Sequence, residues 1–532
     1  MESRLTWYAG FAVVLTFVFF WLLIQQAHIF WFFALVFVLL GIALHDLFQT
    51  KHTLLRTFPV LGHIRYILEF FRPEIRQYFL EDDKSERPFD RETRSLIYRR
   101  AKGVNDTIAF GTDRDMYMSG YEWVSHSLTP KIVDLNEVLV KIGGADCQHP
   151  YTASRLNISA MSYGALSPTA LKALNLAAKK GAFFHNTGEG GLSDYHLMGG
   201  DVCLQIGTAY FGVRNPDTGL FCPKRFAEKA LMPQIVMIEV KLSQGAKPAH
   251  GGLLPAGKIT PEIARLRGVK MGEDVHSPAH HQMFDDPKGL CHFIRQLREL
   301  SGGKPVGFKL CIGMRSQFLA LCKAMVAEQI FPDFITVDGG EGGTGAAPAA
   351  FANHIGMPLD DALAFVHHSL VGFGIREQIR IIASGQIATG FDMVRKLALG
   401  ADLCNSARAM MMAVGCIQSK QCNKNTCPVG VATTNPRLYK WLDVSEKAER
   451  AYNFHSETLN NFLSIVGAMG LDSPSDISPR LIHRRLAPQH IATYEDIYPS
   501  IPEGCLLQED TVPVEWSLFW KRASADTFSM IS

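Results

Sequence analysis

The stretch that decides the fold is "IRIIASGQIATGFDMVRKLALGADLCNSARAMM", residues 379–411. It contains two short apolar runs of strand length, 379–384 and 401–406. A glycine turn and a segment of helical periodicity, 389–400, separate them. A strand, a helix and a second strand in this order predict a parallel βαβ unit.

Six further strand-like runs precede this unit, with helical or loop segments between them. They are "LNISAMS" (156–162), "FFHNTG" (183–188), "CLQIGT" (203–208), "VMIEVKL" (236–242), "VGFKLCI" (306–312) and "DFITVD" (333–338). The clearest helix follows the first run, with Ser167 as its N-cap, Pro168 at its first position and Gly181 just past its end. Eight strand–helix units over about 260 residues predict a (β/α)8 TIM barrel. A doubly wound sheet is the second possible architecture.

Charge and composition exclude some classes of partner. The 532 residues carry a formal net charge of +2, so nothing indicates a nucleic-acid partner. The 45 glycines are concentrated in the middle of the chain, where they follow the strand-like runs. That pattern fits an α/β enzyme whose loops form a binding site.

The N-terminus differs in kind from the rest of the chain. Residues 7–25 and 28–44 are two uncharged runs, each about long enough to cross a bilayer, so residues 1–45 are predicted to form a transmembrane helical hairpin. A secretory signal fits poorly, because the first run is long and a second run follows. Basic residues are denser after the second run than before the first, so we expect a cell-membrane protein whose catalytic domain is cytoplasmic.

Three further segments complete the predicted organisation. Residues 46–130 are predicted to be a helical connector that packs on the catalytic domain. The alternation of Phe70, Phe71 and Phe79 with charged residues leaves a position at the membrane surface open. Residues 131–445 are the predicted catalytic domain, and 446–532 are a C-terminal extension without a catalytic signature.

The glycine-rich loops predict a phosphorylated cofactor. In a barrel, the loops after strands seven and eight commonly bind phosphate through backbone N–H groups. Here these loops offer Gly385, Gln386, Ala407 and Arg408. Lys309 lies in an apolar strand and needs an anionic partner, which the N1–C2=O edge of a reduced flavin would supply.

The loop "GCIQSKQCNKNTCPVGVATTNP", residues 415–436, holds three cysteines in a C-x5-C-x4-C pattern. Zinc sites usually show C-x2-C pairs and four ligands, which this loop lacks. Three thiolates suit a [3Fe–4S] cluster, or a [4Fe–4S] cluster with one open iron. Spacing alone leaves an iron–sulfur cluster, zinc and free thiols open.

Five motifs together resemble a known family. They are "SAMSYGALSPTA" (159–170), "GEGG" (188–191), "QGAKP" (244–248), "DGGEGGTGAAP" (338–348) and "CNKNTCPVGVAT" (422–433). In this order they resemble the FMN-binding domain of glutamate synthase, and above all its stand-alone large-subunit-like members. The resemblance covers about residues 85–440. It implies FMN in a (β/α)8 barrel, with Cys416, Cys422 and Cys427 holding a [3Fe–4S] cluster beside the flavin.

The resemblance also implies a reaction and its residues. Ammonia adds to 2-oxoglutarate to give 2-iminoglutarate, and reduced FMN delivers a hydride that yields L-glutamate. The implied substrate residues are Glu189, Lys247 and Arg267, with Glu189 handling protons if burial raises its pKa. The expected cofactor residues are Ser159, Ala160, Met161, Ser162, Gln244, Lys309, Asp338, Gly339, Gly340, Gly342, Gly343, Thr344, Gly345, Ser384, Gly385, Gln386, Ala407 and Arg408. A bracing role for Glu189 and a surface position for Arg267 stay open.

Departures from the family pattern bear on the partners. The chain shows neither an amidotransferase domain nor a dinucleotide fingerprint. We therefore expect ammonia from a separate amidotransferase or free ammonium, and electrons from a donor protein or membrane carrier. Leu253 stands where a glutamine is expected, so the substrate could instead be a related keto dicarboxylate. Two different activities also stay open: a membrane-linked FMN oxidoreductase of another keto, hydroxy or amino acid, and a non-catalytic electron-transfer subunit.

Overall fold

The computed structural model describes residues 2–530. The chain divides into two compact units, one ending at Pro88 and the other beginning at Phe89. The N-terminal unit is helical. Its elements are Glu2–Phe48, Thr53–Thr57, Gly62–Ile75 and a π-helical turn at Arg76–Leu80.

The predicted N-terminal hairpin is wrong, because Glu2–Phe48 forms one continuous helix. The joint between the two apolar runs contains neither glycine nor proline, and its glutamines and alanine favour a helix, so the backbone hydrogen bonds run through it. The segment Thr16–Phe48, 33 residues with a mean hydropathy of 2.5, is long and apolar enough to cross a membrane.

The second unit is built around a closed barrel of eight parallel strands. In chain order these are β1 (Leu156–Ile158), β2 (His185–Asn186), β3 (Val202–Ile206), β4 (Ile235–Lys241), β5 (Val306–Leu310), β6 (Phe334–Asp338), β7 (Arg380–Ser384) and β8 (Leu403–Ser406). Cys404 on β8 pairs with Leu156 on β1, which closes the barrel and excludes the doubly wound sheet. The eight strands lie at the eight predicted runs, so the predicted TIM barrel is confirmed.

Helices cover the outside of the barrel. The helices between the strands are Pro168–Gly181, Pro223–Ala230, Pro261–Arg267, Pro287–Leu300, Arg315–Glu328, Ala349–His354, Leu359–Gly372 and Gly390–Ala398, and Arg408–Ala413 follows β8. The predicted N-cap is confirmed, since the Ser167 hydroxyl accepts a hydrogen bond from the Ala170 N–H at 3.2 Å. This helix ends one residue later than predicted, because Ala182 takes the left-handed C-cap position with a φ of 50°.

Two hairpins, a small sheet and five further helices lie outside the barrel and complete this unit. A hairpin of Leu139–Ile142 with Tyr151–Ser154 precedes the barrel, and a second hairpin, Leu253–Leu254 with Val275–His276, follows β4. A small antiparallel sheet joins Glu122–Val124, Ile482–Ala487 and His490–Thr493. The remaining helices are Arg91–Ala101, Pro436–Tyr439, Val444–Ala468, Tyr494–Ile497 and Val514–Lys521.

The C-terminal extension packs on the outside of the barrel. The ring of His455, on the long helix Val444–Ala468, stacks on Phe183 with ring centroids 3.8 Å apart. Its Nε2 lies 2.9 Å from the carbonyl oxygen of Leu156 on β1. This extension is therefore part of the structural support of the barrel wall.

The barrel interior is layered by the two-residue period of its strands. The lowest layer is apolar and includes Met237 of β4. Above it, the Glu239 carboxylate accepts hydrogen bonds from Asn186, Gln205 and Thr336 at 2.8, 2.6 and 2.6 Å. The next inward residue of β4 is Lys241, which places its side chain at the carboxyl end of the barrel.

Candidate active site

A buried ion pair lies at the carboxyl end of β4. The Lys241 ammonium is 3.0 Å from Glu189 Oε1 and donates to Gln244 Oε1 at 3.0 Å. Glu189 comes from the loop after β2, and Gln244 from the loop after β4. Loops after two strands of the barrel therefore meet at Lys241.

Glu189 is held as a carboxylate. Burial favours its neutral form, but Lys241, Arg267 and Lys247 outweigh burial and hold the pKa of Glu189 below its ordinary value. The condition stated from the sequence, that burial raises this pKa, is not met, because three cations surround the group. At neutral pH Glu189 is a proton acceptor.

Arg267 is the last residue of the helix Pro261–Arg267 and is 5% exposed, which excludes the surface position. Its Nη2 donates to the carbonyl oxygen of Tyr163 at 2.9 Å, and its guanidinium lies 5.1 Å from the ring centroid of Phe211. Its Nε is buried and has no hydrogen-bond partner within residues 2–530. Burial lowers the pKa of Arg267 to about 10, and Glu189 opposes that shift, so the group stays charged at neutral pH.

Lys247 completes the cluster from the loop after β4. It is 2% exposed, and across the described part of the chain its ammonium makes neither a hydrogen bond nor an ion pair. Burial lowers the pKa of Lys247, while Glu189 raises it. Three cations and one carboxylate leave an excess of positive charge in a buried site, which favours an anionic ligand.

Two glycines allow these loops to approach so closely. A Cβ on Gly190 would lie 2.7 Å from Arg267 Nη2 and 2.8 Å from the Cβ of Ser162. A Cβ on Gly252 would collide with the carboxylate of Glu189. Leu253, the departure from the family pattern, follows Gly252 directly and pairs with His276 in the hairpin after β4.

A second polar group surrounds Asp338 at the end of β6. Its Oδ2 lies 3.4 Å from the Lys309 ammonium on β5 and accepts from the Gly245 N–H at 2.7 Å. Its Oδ1 accepts from the Ser384 hydroxyl at 2.7 Å, and that hydroxyl lies 3.4 Å from the Ser159 hydroxyl. The ends of β5, β6 and β7 and the residue after β1 therefore converge on one carboxylate. The anionic partner of Lys309 in the structure is Asp338.

The predicted phosphate loops lie together beside this group. The Ser406 hydroxyl at the end of β8 donates a hydrogen bond of 2.7 Å to the carbonyl oxygen of Ile387. This bond connects β8 to the loop after β7. In that loop Gly385 and Gln386 have φ values of 153° and 51°. Arg408 Nη2 donates to the carbonyl oxygen of Glu341 at 2.6 Å, which brings the glycine loop after β6 to the same place.

The remaining expected cofactor residues belong to loops that follow the barrel strands. A Cβ on Gly343 would lie 2.7 Å from the Arg408 side chain, so this glycine permits close approach. The segment after β1 is held by the Met161 N–H, which donates to the carbonyl oxygen of Asn186 at 3.3 Å. The other expected residues in these loops are Ala160, Ser162, Gln244, Gly339, Gly340, Gly342, Thr344, Gly345 and Ala407.

The three predicted cluster thiols come from the loop after the helix Arg408–Ala413. None of the three forms a disulfide within the described residues, and Cys427 is buried. Burial raises the pKa of Cys416 to about 12, and the neighbouring Cys422 and Cys427 thiols raise it as well. A Cβ on Gly345, in the glycine loop, would lie 3.9 Å from the Cβ of Cys422. The thiol loop therefore lies beside the glycine loop.

A buried lysine accompanies the thiols. Lys258 donates to the carbonyl oxygen of Ala432 at 3.4 Å. Burial lowers the pKa of Lys258, and the nearby Cys422 and Cys427 raise it. Within residues 2–530, no three His, Cys, Asp or Glu side chains are placed to hold a single metal ion.

Sequence reasoning missed Lys241 and Lys258. The signal for Lys241 was present, because a lysine in an otherwise apolar strand needs an anionic partner, as Lys309 does. Lys258 gave no such signal, since it lies in a polar loop whose burial depends on the fold of the thiol loop.

Residues 124–472 match the conserved region in glutamate synthase, which is well over half of the chain. The chain belongs to the glutamate synthase family. It is 38% identical to the glutamate synthase large subunit-like protein YerD of Bacillus subtilis over 471 residues, or 81% of this chain and 89% of that protein. It is 36% identical to the archaeal glutamate synthase [NADPH] of Methanocaldococcus jannaschii over 318 residues, or 59% of each chain.

Among solved structures, the glutamate synthase-like chain is similar to mandelate oxidase. The likeness covers 72% of this chain and 96% of that one, with 13% identity and a TM-score of 0.42. The family membership identifies the protein as a glutamate synthase-like oxidoreductase, of the enzyme class that acts on CH–NH2 donors.

Proposed function

We propose that this protein reductively aminates 2-oxoglutarate to L-glutamate, with FMN and a [3Fe–4S] cluster as cofactors. The observation that carries the proposal is the buried excess of positive charge at Lys241, Lys247 and Arg267 around Glu189. A dicarboxylate keto acid neutralises such a site, and family membership supports the choice of reaction.

Arg267 and Lys247 are the carboxylate-binding groups in this proposal. The Tyr163 carbonyl oxygen engages Nη2 of Arg267, which leaves its Nε free to donate to a substrate carboxylate. Lys247 has no competing partner among the described residues and attracts the second carboxylate or the keto oxygen. Both charged groups lose hydrating water when the chain folds, which costs free energy. An anionic ligand that pairs with them offsets this cost.

Glu189 and Lys241 handle the protons of imine formation. The lowered pKa of Glu189 keeps it ionised at neutral pH, which is the form that can accept a proton from the attacking nitrogen. The keto oxygen needs two protons to leave as water. Glu189 can take each of them in turn from the attacking nitrogen and pass it to that oxygen, so water departs and 2-iminoglutarate remains. The ion pair of 3.0 Å with Lys241 fixes the position of the carboxylate for both steps.

The residues around Asp338 fit FMN. Lys309, Ser384 and Ser159 gather at strand ends, and the glycine loop with Arg408 provides the open backbone and positive charge that a phosphate requires. When bound and reduced, FMN supplies the hydride that reduces the imine carbon. Lys309 would offer its ammonium to the electron-rich edge of the flavin ring, and Asp338 would hold that ammonium in position.

The three thiols fit an iron–sulfur cluster. In a cluster each thiolate binds a different iron, so the sulfur atoms stand farther apart than the ligands of one ion. Lys258 adds a positive charge that favours thiolates, and the position of Cys422 close to Gly345 puts this loop beside the proposed flavin site. When bound, the cluster supplies one-electron transfer.

We further propose that the helix Thr16–Phe48 anchors the enzyme in the cell membrane, with the barrel in the cytoplasm. Electrons then come from a donor protein or a membrane carrier, and ammonia from a separate amidotransferase or free ammonium. The length and apolarity of the helix support this placement.

The test is an anaerobic substrate screen of the full chain with its flavin reduced. Reoxidation of the flavin by 2-oxoglutarate with ammonium, but by neither alone, is the expected result. Reoxidation by a different keto acid with ammonium would reassign the substrate. Reduction of the oxidised flavin by a hydroxy acid or amino acid, without the expected reaction, would overturn the proposal.

A further inference from the structure

An exposed apolar face follows the long N-terminal helix. In the helix Gly62–Ile75, the side chains Ile64, Ile67, Leu68, Phe71 and Ile75 recur at intervals of three and four residues. They therefore form one stripe along the helix. Each of them is between 40% and 58% exposed, so the stripe stays uncovered by the described residues of this unit.

A basic stripe runs beside the apolar one. Arg65, Glu69, Arg72 and Arg76 follow the same helical spacing, and Arg65 pairs with Glu69 at 3.0 Å. Residues 49–80 carry five lysines and arginines against two glutamates. An apolar face bordered by arginines is the pattern of a helix that lies in a membrane interface rich in anionic lipid.

The amphipathic helix begins where the apolar span ends. The buried Asp46, near the end of Glu2–Phe48, accepts from the Val60 N–H at 2.9 Å and lies 2.9 Å from His63 Nε2. Leu55 packs closely under Gly62, where a Cβ would lie 2.8 Å from its side chain. These contacts hold the start of Gly62–Ile75 beside the end of the proposed membrane anchor, where a bilayer surface would lie.

We propose that the face formed by Ile64, Ile67, Leu68, Phe71 and Ile75 lies in the bilayer interface and that the neighbouring arginines bind anionic phospholipid headgroups. The inference rests on the proposed membrane anchor. The occupant is a lipid surface because the stripe is continuous with the apolar span, and because the segment carries the opposite charge to anionic headgroups.

The experiment places a tryptophan on the face and measures its depth. Full-length Phe71→Trp protein is reconstituted in nanodiscs of phosphatidylcholine, with and without phosphatidylglycerol, and its fluorescence is compared with that of wild type. Lipids brominated at shallow or deep acyl positions serve as quenchers. The added emission should be quenched more by shallow bromines, at a depth of about 5–10 Å below the headgroups. Quenching should increase when phosphatidylglycerol is present.

Two controls make the outcomes distinct. Phe110→Trp adds a tryptophan at an exposed phenylalanine of the second unit and gives the reference with which the quenching at position 71 is compared. The natural Trp21 and Trp31 lie within the span, so quenching of wild-type emission by deep bromines tests the anchor separately. A quenched anchor with an unquenched Trp signal at position 71 would overturn the interfacial face alone. Cross-linking of two copies through position 71, without lipid quenching, would overturn it as well.

The role of the arginines has its own readout. Arg65→Gln combined with Arg72→Gln should abolish the gain in quenching that phosphatidylglycerol produces, while quenching in phosphatidylcholine remains. An unchanged gain would show that headgroup charge does not act through these residues.

Discussion

Replacing Lys241 with methionine tests the assignment of Glu189 as proton acceptor. At 3.0 Å and an effective dielectric constant of about 20, the pair attracts with about 5–6 kcal/mol. Breaking buried pairs costs about 3–5 kcal/mol in practice. Arg267 and Lys247 remain beside the carboxylate in the variant, so we take the low end, about 3 kcal/mol. That free energy corresponds to about a hundredfold change in the ratio of the two protonation states of Glu189.

The sign of this effect is set by the charge removed. Lys241 is the strongest influence that lowers the pKa of Glu189, so its loss raises that pKa toward neutrality. The carboxylate form is present only above the pKa, and activity should therefore fall as the pH falls through the raised value. The variant-to-wild-type rate ratio should drop by at most about fourfold between about pH 8 and about pH 6.

The assay is the initial rate of glutamate formation from 2-oxoglutarate and ammonium, with a chemical reductant, under anaerobic conditions. The ratio of rates at each pH cancels the protonation of ammonia itself. Lys304→Met is the matched control, because its ammonium is half-buried and donates only to the carbonyl oxygens of Ala230 and Met232 within the described residues. A rate ratio for Lys241→Met that does not vary with pH would refute the role of Glu189.

Three further outcomes are expected. Arg267→Ala should weaken 2-oxoglutarate binding by about 10- to 100-fold with FMN retained, since a buried charge-assisted hydrogen bond contributes about 1.5–3 kcal/mol. Calorimetry compares the affinity of this variant with that of Arg265→Ala, a substitution on the same helix. Equal affinities of the two variants would contradict the role of Arg267. Cys422→Ser should remove cluster iron and leave the circular dichroism of the barrel intact, whereas Cys147→Ser should retain iron. Lys258→Met should lower the reduction potential of the cluster in an EPR-monitored titration, because a positive charge near the thiols is lost; an unchanged potential would place Lys258 outside the electrostatic field of the cluster.

The barrel strands were predictable because each is a short apolar run bounded by glycine or polar residues. The signal is local, and the closing contact of β8 with β1 follows from the count of units rather than from any one residue. The prediction of an N-terminal hairpin was wrong for a local reason too. Two apolar lengths suggested two spans, but Gln25, Gln26 and Ala27 favour continuation of the helix, and no breaker stands between the runs.

The site was predictable in its members but not in its electrostatics. Glu189, Lys247 and Arg267 were identified from motifs, and the structure brings them together. The protonation state of Glu189 depends on Lys241, which approaches Glu189 only through the folded barrel. The partnership of Lys309 with Asp338 is likewise a contact between neighbouring strands and has no signature in the local sequence.

The most direct test of the central claim is a single turnover with 15N-ammonium. The reduced holoenzyme is mixed anaerobically with 2-oxoglutarate and labelled ammonium, and the product is analysed by mass spectrometry while flavin absorbance is followed. We expect 15N-labelled L-glutamate in amounts equal to the flavin reoxidised, with no product when either substrate is omitted. Formation of 2-hydroxyglutarate, or a flavin that stays reduced with both substrates present, would contradict it.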